Sequence, residues 1–374
     1  MSNNDIKLSN IPSLSAGKVV DLLSNMYISY IRTGSFENLP SVMLWGPPGI
    51  GKSQSIKNIA KEIQMQTGKK VNVTDVRLIL FNPIDLRGIP TANQEKTLAV
   101  WLKPKIFQMD PSSNVVNILF LDEISAAPLS VQAAAYQITL DKTVGEHKLP
   151  NNCIVIAAGN RTSDKSVAYA MPKALANRLL HIEVEASFES WNVWAVKNNI
   201  HPMVLGFLKF KPNHLMVFEP KASELAFATP RSWEMVSNIL SNVSTNMKVV
   251  YDLIAGLVGK AIAIEFKSWS KIFASLPNIE DIFEGRNVSV PTQGDVCYAL
   301  ISSMLTYARI YKDDMRKIEN SITYAMKLTP EFSTILLKDY IYIEKDYIKK
   351  LLKSPVFNRW LASKGKLLDE LNGR

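Results

Sequence analysis

Between Ser41 and Val184 the apolar residues fall into short runs, Val42–Trp45, Val71–Val76, Val115–Leu121, Cys153–Ala158 and Leu179–Val184, several of them separated by stretches of helical length. The run from Val115 to Leu121 hardly alternates, which is the pattern of a strand covered by helices on both faces. Strands of this kind alternating with helices predict a mostly parallel sheet. Ahead of them Val19, Val20, Leu22, Leu23, Met26, Tyr27 and Tyr30 recur at threes and fours, predicting a helix over Gly17–Ile31 that packs beside the first strand. Residues 1 to 16 are polar, show no period and read as a mobile tail. Beyond Ala186 the strand signal fades into successive helices punctuated at Pro202, Pro212, Pro220, Pro230, Pro277, Pro291, Pro330 and Pro355. The expected organisation is an N-terminal tail and helix (1–36), an α/β domain (37–186), a helical lid (187–276) and a helical extension (277–374).

Composition narrows the class. Hydrophobic residues at 47% and charged residues at 21% describe a folded globular chain and exclude disordered or collagen-like ones. The most apolar stretch, Val249–Phe266, is broken by Asp252, Lys260 and Glu265, so no membrane span is expected. Met1-Ser2-Asn3-Asn4-Asp5 lacks the features of a secretion signal, and the expected address is cytoplasmic. Two cysteines, Cys153 and Cys297, build neither a disulfide framework nor a multi-cysteine metal site. The four histidines never share the spacing that puts two ligands on one helix face. A net charge of +9 favours acidic ligands only weakly.

The chemistry begins directly after the run at 42–45, with Gly46-Pro47-Pro48-Gly49-Ile50-Gly51-Lys52-Ser53 followed by Gln54 and a helical stretch. This is a full phosphate-binding loop in its strand–loop–helix context. Glycines let successive amide hydrogens converge on phosphate oxygens, and the helix points its positive end at the same anion. Lys52 is expected to bridge the terminal phosphates and Ser53 to offer a hydroxyl to Mg2+. The run at 115–121 ends in Asp122-Glu123, where open parallel sheets place their ligands. Asp122 is expected to hold the magnesium and Glu123 to polarise the attacking water. Asp85-Leu86-Arg87-Gly88 spells a GTPase switch motif, but it follows Pro83 rather than a strand and no Asn-Lys-x-Asp guanine reader exists, so the expected nucleotide is ATP.

With these motifs the chain resembles the AAA+ ATPases of the MoxR-like branch, from about residue 17 onward. Cys153-Ile-Val-Ile-Ala-Ala-Gly-Asn160 is similar to the sensor 1 segment, in which Asn160 would orient the attacking water. The segment from Met171 to Leu180 is similar to the one that delivers an arginine finger to the next subunit, with Arg178 in that place, although Asn177 and Leu179 depart from the family's residues. Arg161 is the rival candidate. Thr229-Pro230-Arg231 has an N-capping threonine and a proline at the first helical position, and Arg231 resembles sensor 2. Asn82–Pro90 resembles the start of a hairpin insertion that faces the ring's pore. The resemblance implies a homo-oligomer, a hexamer by expectation, that uses ATP and Mg2+ to remodel a protein partner carrying a von Willebrand factor type A domain.

Two other readings stay open: an ATP-driven nucleic-acid motor or loader, and a nucleotide-gated scaffold with little turnover. The segment Lys338–Lys366, with eight basic residues and apolar residues at helical spacing, reads as one packed helix with a solvated basic face. Trp191, Trp194 and Trp233 read as core.

Overall fold

In the computed structural model the apolar runs of the first half of the chain become the strands of one parallel sheet. The structure describes residues 10–34, 36–161, 171, 173–219 and 224–363. They divide into two compact units, one built from the chain up to Ser187 and the other from most of the chain beyond it.

The first unit runs β1 (Ser13–Ser15), α1 (Ala16–Thr33), β2 (Val42–Trp45), α2 (Lys52–Thr67), β3 (Lys70–Arg77), α3 (Pro83–Arg87), β4 (Ile89–Ala92), β5 (Ala99–Leu102), β6 (Val115–Asp122), α4 (Leu129–Asp141), β7 (Thr143–Val144), β8 (His147–Lys148), β9 (Cys153–Gly159), α5 (Lys173–Ala176) and β10 (Leu180–Glu185). The main sheet has the order β1-β10-β2-β9-β6-β3, with every neighbouring pair parallel. Because β9 lies between β2 and β6, the carboxyl ends of these three strands emerge side by side, and β2 enters the phosphate loop from the middle of the sheet. All seven residues of β9 are buried, as are Val115–Leu121 of β6, which explains the absence of alternation in their sequences. On one face Met43, Leu119, Leu121, Val155 and Ala157 pack in a cluster with Val131, Ala134, Ala135 and Ile138 of α4.

One sequence expectation fails here. Ser13–Ser15 is not part of a tail but the edge strand, in parallel register with Glu183–Glu185, and the Glu183 N–H donates to the Pro12 carbonyl at 2.9 Å. Three residues are too few to display a period, and the partner strand is some 170 positions away in sequence. The remainder of the expected tail, residues 1–9, lies outside the described residues.

The second unit is helical: α6 (Phe188–Lys197), α7 (Pro202–Phe210), α8 (Pro230–Asn242), α9 (Met247–Val258), α10 (Lys260–Ala274), α11 (Ile279–Phe283), α12 (Gly294–Ile310), α13 (Met315–Ala325), α14 (Pro330–Ile341), α15 (Tyr347–Leu351) and α16 (Pro355–Ala362). Helices from the expected lid and from the expected extension share one core, in which α12 packs against α7, α10 and α14. Trp191 and Trp233 are buried in it and Trp194 partly so. Trp233 donates its indole N–H to the His214 carbonyl at 2.7 Å, which satisfies the one polar atom its burial would otherwise strand. No helix among the described residues is long and apolar enough to cross a membrane.

The lysine-rich end does not form a single helix. It is broken into α14, α15 and α16, with Asp346 in the left-handed region at φ 62° and Pro355 opening the last piece. Hydrophobic spacing persists across such breaks because each short helix still turns one side to the core. Lys350 is paired with Asp313 at 2.8 Å and with Glu344 at 3.0 Å. Lys364 and Lys366 lie outside the described residues.

Two polar features of this unit bear on its stability. The Lys209 ammonium on α7 pairs with the Asp339 carboxylate on α14, their side chains only 2% and 3% exposed, and Asn192 of α6 donates to the same carboxylate at 2.8 Å. Asp339→Leu strands a buried cation and is expected to cost about 3–5 kcal/mol in urea unfolding. Adding Lys209→Met to that variant is expected to restore most of the loss. Equal destabilisation of the single and double variants would show that the ion pair is not the cause.

His201 caps α7, its Nδ1 accepting from the Met203 N–H at 3.2 Å, and burial pulls its pKa from 6.5 down to about 4. The unfolded chain therefore binds this proton well before the folded chain does. Stability from this group is complete above pH 6.5 and is lost as the pH falls towards 4, by up to about 3 kcal/mol. His201→Asn keeps a capping acceptor without the proton and is expected to flatten the pH dependence of the urea midpoint over that range.

Candidate functional site

The site is built where β2, β9 and β6 end. At Gly46 the chain leaves β2 so close to β10 that an added Cβ would meet the Val184 carbonyl oxygen at 2.8 Å, and the Gly46 N–H donates to the Gly159 carbonyl at 3.3 Å. Gly51, at φ +106°, turns the loop into α2, whose first residue is Lys52. The predicted strand, loop and helix are thus all present, with the positive end of α2 opening into the loop.

Lys52 is 8% exposed. Its ammonium donates to the Gly46 carbonyl at 2.5 Å, the Pro47 carbonyl at 3.1 Å and Asn160 Oδ1 at 3.0 Å. Oxygens surround a buried cation, which is the arrangement that lets a lysine stay charged there. Ser53 donates its hydroxyl to Asp122 Oδ2 at 3.0 Å. Lys52 and Ser53 of the phosphate loop are thus each hydrogen-bonded to a residue of another motif, Asn160 and Asp122 respectively.

Glu123 follows β6 in the left-handed region at φ 59°, a conformation that costs a non-glycine residue free energy and collects at functional sites. The turn is closed by the Ala126 N–H donating to the Glu123 carbonyl at 3.0 Å, while the Ile124 N–H reaches the Ala158 carbonyl of β9 at 3.0 Å. Ser125 then locks β6 to β9. Its Oγ accepts from the Asn160 N–H at 2.9 Å and donates to the Asn160 carbonyl at 3.0 Å. Gly159 makes room for this, since a Cβ there would come within 2.8 Å of Ser125 Oγ. Buried Gln132 supports the same loop through the carbonyls of Ala127 and Ser125, at 2.9 and 3.4 Å. Sequence reasoning missed Ser125 and Gln132 because neither belongs to a motif.

Burial first, and then the Asp122 charge, raise the pKa of Asp75 on the neighbouring strand β3, while Arg77 and Lys57 pull it down. A hydroxyl and a carboxylate are hard oxygen donors that suit Mg2+. No cluster of three or more His, Cys, Asp or Glu able to hold a metal is found among the described residues. Magnesium is commonly held by one or two protein oxygens together with nucleotide phosphates. When bound it would neutralise phosphate charge.

The candidate arginines are placed differently. Arg161, next to Asn160, is ion-paired with Glu183 of its own chain, whereas Arg178 is exposed on the turn after α5. Arg231 lies in the other unit, exposed in the first turn of α8. The predicted cap is present there: Thr229 accepts from the Ser232 N–H at 3.0 Å, and Pro230 opens the helix. A hairpin follows the motif at 82–90, with β4 and β5 antiparallel and exposed. Beside it runs a groove of about 520 Å3 whose lining includes Leu80, Ile84, Ile89 and Leu102. A second hairpin, β7–β8, was not foreseen, and His147 Nε2 donates to the Trp101 carbonyl of β5 at 2.6 Å.

Comparison with known proteins bears on this segment. Residues 41–181 match the ATPase family associated with various cellular activities (AAA). The α/β unit is accordingly an AAA+ P-loop fold with a parallel sheet, followed by an all-helical region. A replication factor C small subunit of Methanosarcina mazei is 33% identical over 136 residues, which are 36% of this chain and 34% of that protein. The chain thus spans about a third of the length of the curated relatives it matches. Among solved structures, a RuvB mutant of Thermotoga maritima is 16% identical with a TM-score of 0.38, covering 78% of this chain and 83% of that one. PCH-2 of C. elegans is 13% identical with a TM-score of 0.34, covering 70% and 64%.

Proposed function

We propose that this chain is a MoxR-like AAA+ ATPase that binds Mg–ATP on the 46–54 loop, hydrolyses it in a homo-oligomeric ring and spends the resulting motion on remodelling a protein partner. The observation that carries the reading is the hydrogen-bonded set Lys52–Asn160 and Ser53–Asp122 at the end of three adjacent parallel strands. In it Gly46, Pro47, Pro48, Gly49, Ile50, Gly51 and Gln54 line or follow the phosphate loop, and Ser53 and Asp122 hold the magnesium. Glu123 is the base for the attacking water and Asn160 orients that water. Arg178 is the finger offered to the next subunit, a role that its exposure and the internal pairing of Arg161 both support. Arg231 takes the sensor 2 role that its sequence resembles. Phosphoryl transfer leaves little covalent chemistry for a protein to assist, so such positioned charges carry most of the rate.

The ring is proposed to be a hexamer, and the partner to carry a von Willebrand factor type A domain. The exposed apolar hairpin β4–β5 with its groove suits contact with a protein client. The test is capture with Glu123→Gln in ATP, which should hold the loaded state. Enrichment of a von Willebrand factor type A protein is the expected result. A nucleic-acid motor is the second reading, favoured by the net charge of +9 and by relatives named replication factor C small subunit. Salt-sensitive stimulation of turnover by DNA, with nucleic acid and no protein captured, would replace the first reading with it.

A further inference from the structure

Trp45, the last residue of β2 before the phosphate loop, donates its indole N–H to His181 Nδ1 at 2.9 Å, and the two rings stack at 6.1 Å with 16° between their planes. An indole nitrogen only donates, so Nδ1 of His181 must be the acceptor and the ring proton sits on Nε2. That Nε2–H is 2.7 Å from the Ala176 carbonyl, to which it donates. The same carbonyl accepts from the Leu179 N–H at 3.2 Å, closing the turn on which Arg178 is carried. One neutral imidazole thus bridges the strand that delivers the phosphate loop and the turn that delivers the finger.

We infer that His181 is a positioning residue, fixing the Arg178 turn to the end of β2 so that each subunit presents its finger from a platform set by its own nucleotide loop. This rests on the proposed role of Arg178 in trans. The geometry explains why a polar residue stands on β10 beside Met43 and why Trp45, rather than an aliphatic residue, precedes the loop. The hydrogen bonds of Trp45 and His181 run to each other and to the Ala176 carbonyl, so the bridge is expected to act on the rate that a subunit lends its neighbour and not on nucleotide binding within that subunit.

His181→Phe keeps a ring against Trp45 and removes both nitrogens. In the assembled protein it is expected to lower kcat at least about ten-fold, while Kd for Mg–ATP stays within about two-fold. His181→Gln, which retains a donor for the Ala176 carbonyl, is expected to recover most of the rate. The deciding measurement is mixing. Glu123→Gln subunits cannot hydrolyse but carry an intact finger, so adding them to His181→Phe subunits should raise turnover well above the sum of the two alone. Arg178→Ala mixed with Glu123→Gln is the control. Recovery in the control but not with His181→Phe would overturn the inference and leave the trans finger standing. Recovery in neither mixture would sink the finger in trans and the bridge with it. Unchanged kcat in His181→Phe would also refute the inference.

Discussion

Lys52→Ala is expected to weaken Mg–ATP binding at least about a hundred-fold, close to 3 kcal/mol, and to abolish turnover. The expectation follows from what surrounds the ammonium in the structure. Three oxygens, from Gly46, Pro47 and Asn160, already hold a buried cation at the mouth of α2, so the charge is in place before any phosphate arrives. A triphosphate brings several negative oxygens against this ammonium, and removing the lysine leaves them desolvated and unpaired. Glu123→Gln should separate from it cleanly: binding within a few-fold of the parent, turnover lower by about 10²–10⁴. Calorimetric titration of both variants with Mg–ATP, alongside phosphate release, checks the pair. Lys52→Ala binding ATP as tightly as the parent would mean that the loop is not the nucleotide site.

How much of this was legible in the chain depends on the reach of each interaction. The phosphate loop was readable because its requirements are local: a strand end, glycines free to turn, and a helix that starts at Lys52. The Thr229–Pro230 cap was readable for the same reason, since all its atoms belong to a few consecutive residues. The sequence left Arg178 and Arg161 as rivals, and it could not reveal that Arg161 is ion-paired with Glu183 of β10, a contact between distant positions. Ser125 was invisible for a similar reason; it works by gripping the backbone of residue 160, and a lone serine announces nothing. The edge strand Ser13–Ser15 and the Lys209–Asp339 pair join positions more than a hundred residues apart, which no periodicity can encode. The basic terminal segment misled in the opposite direction. Its apolar spacing was real, but Asp346 and Pro355 divide it into short helices that each keep the same buried side.

Arg178→Ala is expected to reduce ATP turnover by about 10³–10⁵ at saturating nucleotide while leaving Mg–ATP affinity nearly unchanged. The charge that spreads over the transferred phosphoryl group in the transition state is absent in the bound ground state, so a cation that meets it there changes kcat and not Kd. Arg178 is exposed on its own chain and stands on the turn after α5. If it serves the neighbour, Arg178→Ala and Glu123→Gln proteins are each inactive for a different reason, and each supplies what the other lacks. Random mixing in equal amounts should then restore about a quarter of the parent rate, the fraction of subunit contacts that pair an intact Glu123 with an intact Arg178. An arginine working within its own subunit predicts no such recovery. Arg161→Ala, which breaks an internal ion pair instead, is expected to produce no complementation with Glu123→Gln. If the Arg161 variant complements and the Arg178 variant does not, the two arginines exchange roles.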